Sequence, residues 1–203
     1  MTAAKVPAGA PVPLLNPANV LTVLRIALVP VFLVLLMRET TTSRLAACVV
    51  FTVALLTDRV DGHLARSRGL VTTFGTVADP IADKALVGAA LIGLSVLGEL
   101  WWWVTVVVLG RELGVTLLRF LVMRHGVIPA SRGGKLKTLL QGTALVVLLV
   151  PLGGAVQVIG WVIMGAAVAV TLVTGVDYVV QAVRLARTPR PETPAATAPA
   201  DAA

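Results

Sequence analysis

The chain has 203 residues, of which 57% are hydrophobic and only 13% charged, and its mean hydropathy is +0.93. A soluble domain carries about 25% charged residues, so the composition excludes a soluble globular protein and indicates an integral membrane protein. The net charge of +7 comes without the basic–aromatic interleaving of a nucleic-acid surface, so it reads as basic loops facing anionic lipid, with no nucleic acid as partner.

Residues 1–15 are rich in Pro, Ala and Gly and are expected to form a disordered N-terminal tail. One Lys followed by Pro-broken sequence lacks the layout of a cleaved signal. Asn16 before Pro17 has the form of a helix cap followed by a first-turn proline. A first membrane span is expected over 20–37, about the length needed to cross ~30 Å of hydrocarbon, with Pro30 as its candidate kink point. Arg25 stands alone in this apolar run. It either snorkels to the headgroups or faces a polar cavity.

A polar turn over 38–44 leads to a second span over 45–64. A polar loop over 65–73 follows, then a third span that starts within 74–79 and ends near 97. Pro80 fits the first turn of that helix, where a missing N–H costs nothing. Cys48 lies in an apolar run and reads as a small lipid- or core-facing residue; one cysteine makes neither a disulfide framework nor a zinc cluster. Next come Glu99 and three consecutive tryptophans, Trp101 to Trp103, which read as an interfacial belt. A fourth span over 103–123 contains Arg111, Glu112 and Arg119. The loop over 124–137 is the most basic in the chain. Two further spans, over 138–152 and 156–183, complete the set, the last longer than a bilayer requires. The tail from 188 is Pro/Ala-rich and is expected to be disordered. The expected fold is therefore all-α, an integral membrane protein with six transmembrane helices, its membrane domain spanning 16–187 between tails 1–15 and 188–203.

Six spans place both termini on one side. Of the seventeen Lys and Arg residues, only Arg38 and Arg44 fall in the turns on the opposite side, so the positive-inside rule puts the termini in the cytoplasm.

Residues 58–83 carry the chemistry. They read DRVDGHLARSRGLVTTFGTVADPIAD, the pattern D-x2-D-G-x2-A-R-x8-G-x3-D-x3-D. Asp58 and Asp61 share a helix face, as do Asp79 and Asp83 on the next helix. Uncompensated acids beside a bilayer are costly. Two facing pairs make an oxygen-rich cage suited to Mg²⁺ or Mn²⁺. Such ions would neutralise a diphosphate and stabilise charge growing on a leaving phosphate. Arg66 can add hydrogen bonds to the same phosphates. Gly62 and Gly75 would let a base or ribose approach the backbone, with Ala65 keeping that approach narrow. Lys84, beside Asp83, reads as a counter-ion or as a catalytic group. His63 and His125 lack partners at metal-ligand spacing.

This pattern resembles the signature of the CDP-alcohol phosphatidyltransferase family at every specified position. The resemblance implies that Asp58, Asp61 and Asp79 bind metal. It implies that Asp83 joins that site and is the base that deprotonates an acceptor hydroxyl, which attacks CDP-diacylglycerol as CMP leaves. Asn19, Thr22, Gly62, Ala65, Arg66 and Gly75 would line the CDP pocket. A homodimer is implied as well, and Gly160, Gly165 and Ala166 are small enough to support close helix packing.

The motif specifies the donor and leaves the alcohol open. Arg111 and Arg119 on the fourth span, with Lys135 and Lys137 after it, suit an acceptor that carries phosphate; the alternative is topogenic residues touching anionic headgroups. The stretches 16–25, 111–119 and 134–138 are similar to the bacterial branch of the family whose acceptor is sn-glycerol 3-phosphate. That resemblance covers roughly 16–185, gives the four basic residues the acceptor phosphate, and has Glu112 hold a neighbouring Arg. Inositol phosphate and phosphatidylglycerol are the alternative acceptors. A metal- or proton-coupled transporter would spread polar residues through the bilayer depth, whereas these acids cluster at one edge.

Overall fold

Asn16 starts the first helix: its backbone is extended and its side chain accepts the Asn19 N–H at 2.9 Å, with Pro17 following at the first helical position. Six helices follow in the computed structural model, which describes residues 16–38, 40–68, 72–122 and 132–187; for 17–18, 59–68, 73, 77, 119–122, 132 and 184–187 it describes the backbone alone. They are α1 (Pro17–Met37), α2 (Thr41–Arg68), α3 (Thr73–Val96), α4 (Trp102–Val122), α5 (Arg132–Leu149) and α6 (Gly154–Arg187). No strand occurs among the described residues. Both tails, and the loop residues 123–131 with His125, lie outside them.

The bundle runs up and down. The turns after α1, α3 and α5 lie at one end, and both helical termini lie at the other. Stretches 19–37, 41–58 and 154–183 are long and apolar enough to cross a membrane by length and composition. The other three helices have 24, 21 and 18 residues, or about 27–36 Å at 1.5 Å per residue, and each has charged residues within it. Val23, Leu24, Val34, Val49, Val53, Val106 and Val173 point outward, as residues facing lipid must. This is a multi-pass membrane protein.

Several boundaries differ from expectation, each for a local reason. The Thr40 hydroxyl accepts the Ser43 N–H at 3.2 Å, and the Thr40 carbonyl accepts the Arg44 N–H at 2.8 Å. These bonds start α2 four residues earlier than the polar letters suggest. At its other end α2 runs on to Arg68, into the first four residues of the expected loop. The Thr72 side chain caps α3 by accepting the Gly75 N–H at 3.0 Å, which corrects the expected place of Pro80. The proline lies well inside α3, beyond the first turn, and offers no N–H to the Thr76 carbonyl. Helix α5 begins at Arg132, so Lys135 and Lys137 are helical rather than in a loop. In α1, Pro30 sits within an uninterrupted helix.

The core lies toward the end away from the acids. Phe32 and Leu36 of α1, Phe51 of α2, Leu91 and Leu94 of α3, Val108 of α4, Leu148 of α5 and Met164 of α6 are buried together. Helix α5 packs most extensively on α6, α1 lies against α2 and α3, and α4 lies against α6. At Gly160 an added Cβ would come within 2.7 Å of Leu148 Cδ2 and 3.4 Å of the Leu148 backbone N, so this glycine permits the α5–α6 approach. Gly165 and Ala166 make no comparable contact: nothing lies within 4 Å of a Cβ at Gly165, and Ala166 is exposed.

A polar lock closes that end. The two guanidinium Nη atoms of Arg44 donate to the two carboxylate oxygens of Glu99, the Nη2–Oε2 distance being 2.5 Å, and Nη2 also donates to the Leu148 carbonyl at 3.3 Å. Trp161 Nε1 donates to the Glu99 carbonyl at 3.1 Å while its ring stacks on Trp101. Gly98, at φ 73, turns the chain there, with Gly98 N–H donating to the Ser95 carbonyl and Glu99 N–H to the Leu94 carbonyl. Trp101, Trp102 and Trp103 are exposed, as an interfacial belt requires. Cys48 is buried, its thiol 3.7 Å from the Val146 carbonyl.

Candidate active site

The apolar stretch of α2 ends at Asp58, which comes near Asp83 of α3. Helix α1 supplies a partner to each helix. Arg25 is 1% exposed and its Nη1 lies 2.6 Å from Asp58 Oδ1; one turn earlier, the buried Thr22 hydroxyl donates to Asp79 Oδ1. Arg25 therefore faces the polar interior. A charge-assisted bond to a partly exposed carboxylate offsets the cost of burying that guanidinium.

A second set of bonds ties the start of α1 to the start of α3. The Thr72 hydroxyl donates to Asn19 Oδ1 at 2.9 Å and accepts the Gly75 N–H at 3.0 Å. A Cβ on Gly75 would stand 2.9 Å from Asn19 Oδ1, 3.3 Å from Thr72 Oγ1 and 3.9 Å from Asp79 Oδ2. The missing side chain thus lets α1 close on α3, bringing Thr22 to Asp79.

Asp83, one turn beyond Asp79 on α3, interacts electrostatically with Asp58, Arg25, Lys137 and Lys84. Through Lys137 it connects Asp58 to a group of cations gathered on α4 and α5. Glu112 is the hub of that group. Its carboxylate pairs with Lys137, and Arg111 Nη1 donates to Glu112 Oε1 at 3.2 Å. Lys137 is 5% exposed. Lys84 Nζ donates to the Thr116 hydroxyl, which donates in turn to the Glu112 carbonyl at 2.7 Å. Arg111 also reaches α6, where Nη2 donates to Thr174 Oγ1 at 3.2 Å and the guanidinium carbon lies 5.9 Å from the Tyr178 ring centre.

Of the residues expected from the sequence, Asn19, Thr22, Gly75, Asp58, Asp79 and Asp83 converge where α1, α2 and α3 meet, with Lys137 on Asp83's side and Arg111 joined to Lys137 through Glu112. Lys135 is exposed. Asp61, Gly62, Ala65 and Arg66 fall on the last three turns of α2, and Arg119 on the last turn of α4; their side chains lie outside the described residues. Among the described residues no group of three His, Cys, Asp or Glu side chains could hold a metal ion, and Asp61 is the motif acid missing from that set. The donor chemistry fits a hard divalent cation: carboxylates from two facing helices, with no soft ligand among them.

Sequence reasoning left out Thr72, Thr116, Thr174 and Tyr178. Thr72 had a signal, three residues before Gly75 at cap spacing. Thr174 and Tyr178 stand four apart on one face of an otherwise apolar span. Which helix that face meets is not written locally.

The sequence pattern of the CDP-alcohol phosphatidyltransferase family matches residues 15–173. The chain belongs to this family. Among similar CDP-alcohol phosphatidyltransferases, a Mycobacterium tuberculosis protein named probable phosphatidylglycerophosphate synthase is 54% identical over 172 residues, 83% of this chain and 82% of that protein. Two proteins named CDP-diacylglycerol–glycerol-3-phosphate 3-phosphatidyltransferase are also similar. The Rickettsia typhi protein is 37% identical over 168 residues, 80% of this chain and 94% of its own length. The Bacillus subtilis protein is 38% identical over 147 residues, 66% of this chain and 76% of its own length. As in any CDP-alcohol phosphatidyltransferase, the donor carries a diphosphate, a group that acids able to hold a divalent cation and nearby basic side chains are suited to meet.

Proposed function

We propose that this chain transfers the phosphatidyl group of CDP-diacylglycerol to sn-glycerol 3-phosphate, giving phosphatidylglycerophosphate and CMP. The observation that carries the acceptor is the cationic wall: Lys137 and Arg111 are held on one carboxylate of Glu112, and Lys137 interacts with Asp83. A neutral alcohol gives no reason to gather buried cations there, whereas a phosphate dianion does. The names of the similar bacterial proteins point the same way.

In this reading Asp58, Asp61, Asp79 and Asp83 would hold Mg²⁺ or Mn²⁺, which when bound offsets the diphosphate charge and stabilises the leaving CMP. Asn19, Thr22, Gly62, Ala65, Arg66 and Gly75 shape the CDP pocket. The α1–α3 bonds through Thr72 support that assignment by keeping Asn19 and Thr22 in register with Asp79. Arg111, Arg119, Lys135 and Lys137 receive the acceptor phosphate. Asp83 accepts the proton of the 1-hydroxyl as that oxygen attacks the lipid-bearing phosphorus. One oxygen–phosphorus bond forms, the bridging bond breaks, and its electron pair leaves with CMP.

Residues 16–187 form the catalytic membrane unit, with 1–15 and 188–203 as tails. The protein resides in the bacterial cytoplasmic membrane as a homodimer, with both termini and the acids facing the cytoplasm, where the nucleotide-activated donor is met. The purified protein in detergent micelles should release CMP from CDP-diacylglycerol only when glycerol phosphate is added, and phosphatidylglycerophosphate should appear in equal amount. Product formed instead from inositol phosphate or phosphatidylglycerol would overturn the acceptor assignment.

A further inference from the structure

Arg111 sits midway along α4, and α6 holds it from three directions. Thr174 accepts its Nη2 at 3.2 Å, the Tyr178 ring lies beneath its guanidinium carbon at 5.9 Å, and Gly175 receives its stem. A Cβ at Gly175 would stand 3.3 Å from Arg111 Cγ, so the glycine leaves the space through which the side chain passes. Glu112 completes the set by holding Nη1 at 3.2 Å.

The chemistry of Thr174 makes its bond directional. Its hydroxyl proton is directed at the Val170 carbonyl, 2.7 Å away, with the Thr171 carbonyl at 3.2 Å. A hydroxyl has one proton and two lone pairs, so donation along its own helix turns an acceptor lone pair toward α4. Thr174 and Tyr178 are both buried. They are four residues apart on α6, so they present one face to the guanidinium. The matched family segment ends at residue 173, just before this pair.

We propose that Thr174 and Tyr178 are positioning residues that set the guanidinium of Arg111 for the phosphate of the acceptor alcohol. They touch no reacting atom. Their effect is to fix the plane of a planar donor fork, whose affinity for phosphate depends on orientation more than a lysine's would. The inference rests on the proposed acceptor, and α6 is thereby the element that tunes selection of a phosphorylated alcohol.

The test is steady-state kinetics of the full chain in micelles, with each substrate varied separately. Thr174→Val removes the acceptor oxygen and should raise KM for sn-glycerol 3-phosphate roughly tenfold, the scale of one hydrogen bond to a charged group. KM for CDP-diacylglycerol should stay within about twofold, because ground-state binding of the donor does not use this bond. Thr174→Ser restores the oxygen and should recover the wild-type KM. Tyr178→Leu keeps an apolar side chain, removes the π face, and should raise the same KM about two- to fivefold. It supplies an independent measurement should Thr174→Val fail to fold. An unchanged glycerol phosphate KM in these variants, an equal rise for both substrates, or failure of serine to rescue would overturn the positioning role. Failure of the wild-type protein to use glycerol phosphate at all would instead strike at the acceptor assignment, and it is read in a separate arm.

Discussion

Asp83→Asn keeps the size of the side chain and removes its capacity to take a proton. Turnover should fall at least a thousandfold while CDP-diacylglycerol still binds; CMP release and donor binding, measured on the same preparation, separate the two effects. Arg111→Ala should act on the proposed acceptor. It removes a guanidinium held by Glu112, Thr174 and Tyr178, so KM for glycerol phosphate should rise tenfold or more against about twofold for CDP-diacylglycerol. Equal rises would place Arg111 outside the acceptor site. At this scale the sequence is informative about residue types and incomplete about partners. The four acids announce themselves by spacing, whereas Arg25 has two readings until Asp58, thirty-three positions away, is found beside it.

The contact between α1 and α3 depends on a vacancy the size of one methyl group. In Gly75→Ala the new Cβ would meet Asn19 Oδ1 at 2.9 Å and Thr72 Oγ1 at 3.3 Å, atoms already held by a hydrogen bond. We expect a cost of about 1–3 kcal/mol and a marked loss of turnover as Thr22 is drawn from Asp79. The double variant Gly75→Ala with Asn19→Ala should regain part of the lost thermal stability in micelles; an additive loss would show that the two sites do not meet. At the opposite end, Glu99→Gln weakens the fork with Arg44 that joins α2 to the α3–α4 turn. The carboxylate is partly exposed, so the expected cost is about 1–3 kcal/mol rather than that of a fully buried pair. The melting temperature should drop by several degrees, with both KM values unchanged. A shifted KM would mean that the lock reaches the site.

On the scale of the whole molecule, polarity is segregated along the bundle axis. The Arg44–Glu99 lock and the tryptophans mark one end, the acids and cations lie toward the other, and the apolar core fills the region between. A lipid donor whose headgroup is water-soluble and whose tails are not can meet such a site from the side, with its diphosphate, in the proposed reading, at the level of Asp58. Chelation should expose the role of the acids: EDTA should reduce turnover to background, and added Mg²⁺ or Mn²⁺ should restore it. Turnover that persists in excess chelator would overturn the proposed metal-holding role of the aspartates.

The sequence by itself determined the membrane class, the number of helices and the motif, because hydropathy and spacing along a helix are local properties that survive without a tertiary partner. It also contained the cap at Asn16, a short-range bond between neighbours. It misplaced the starts of α2 and α5 and the turn that holds Pro80, since polar letters in a bundle mark either a loop or a helix face turned toward other polar groups. Only the tertiary structure decided that Thr22 meets Asp79, that Gly75 is closed by Asn19, and that α6 holds Arg111. Those contacts span 53 to 63 positions, and their existence depends on which face of each helix turns inward. That choice is made by the packing of all six helices together.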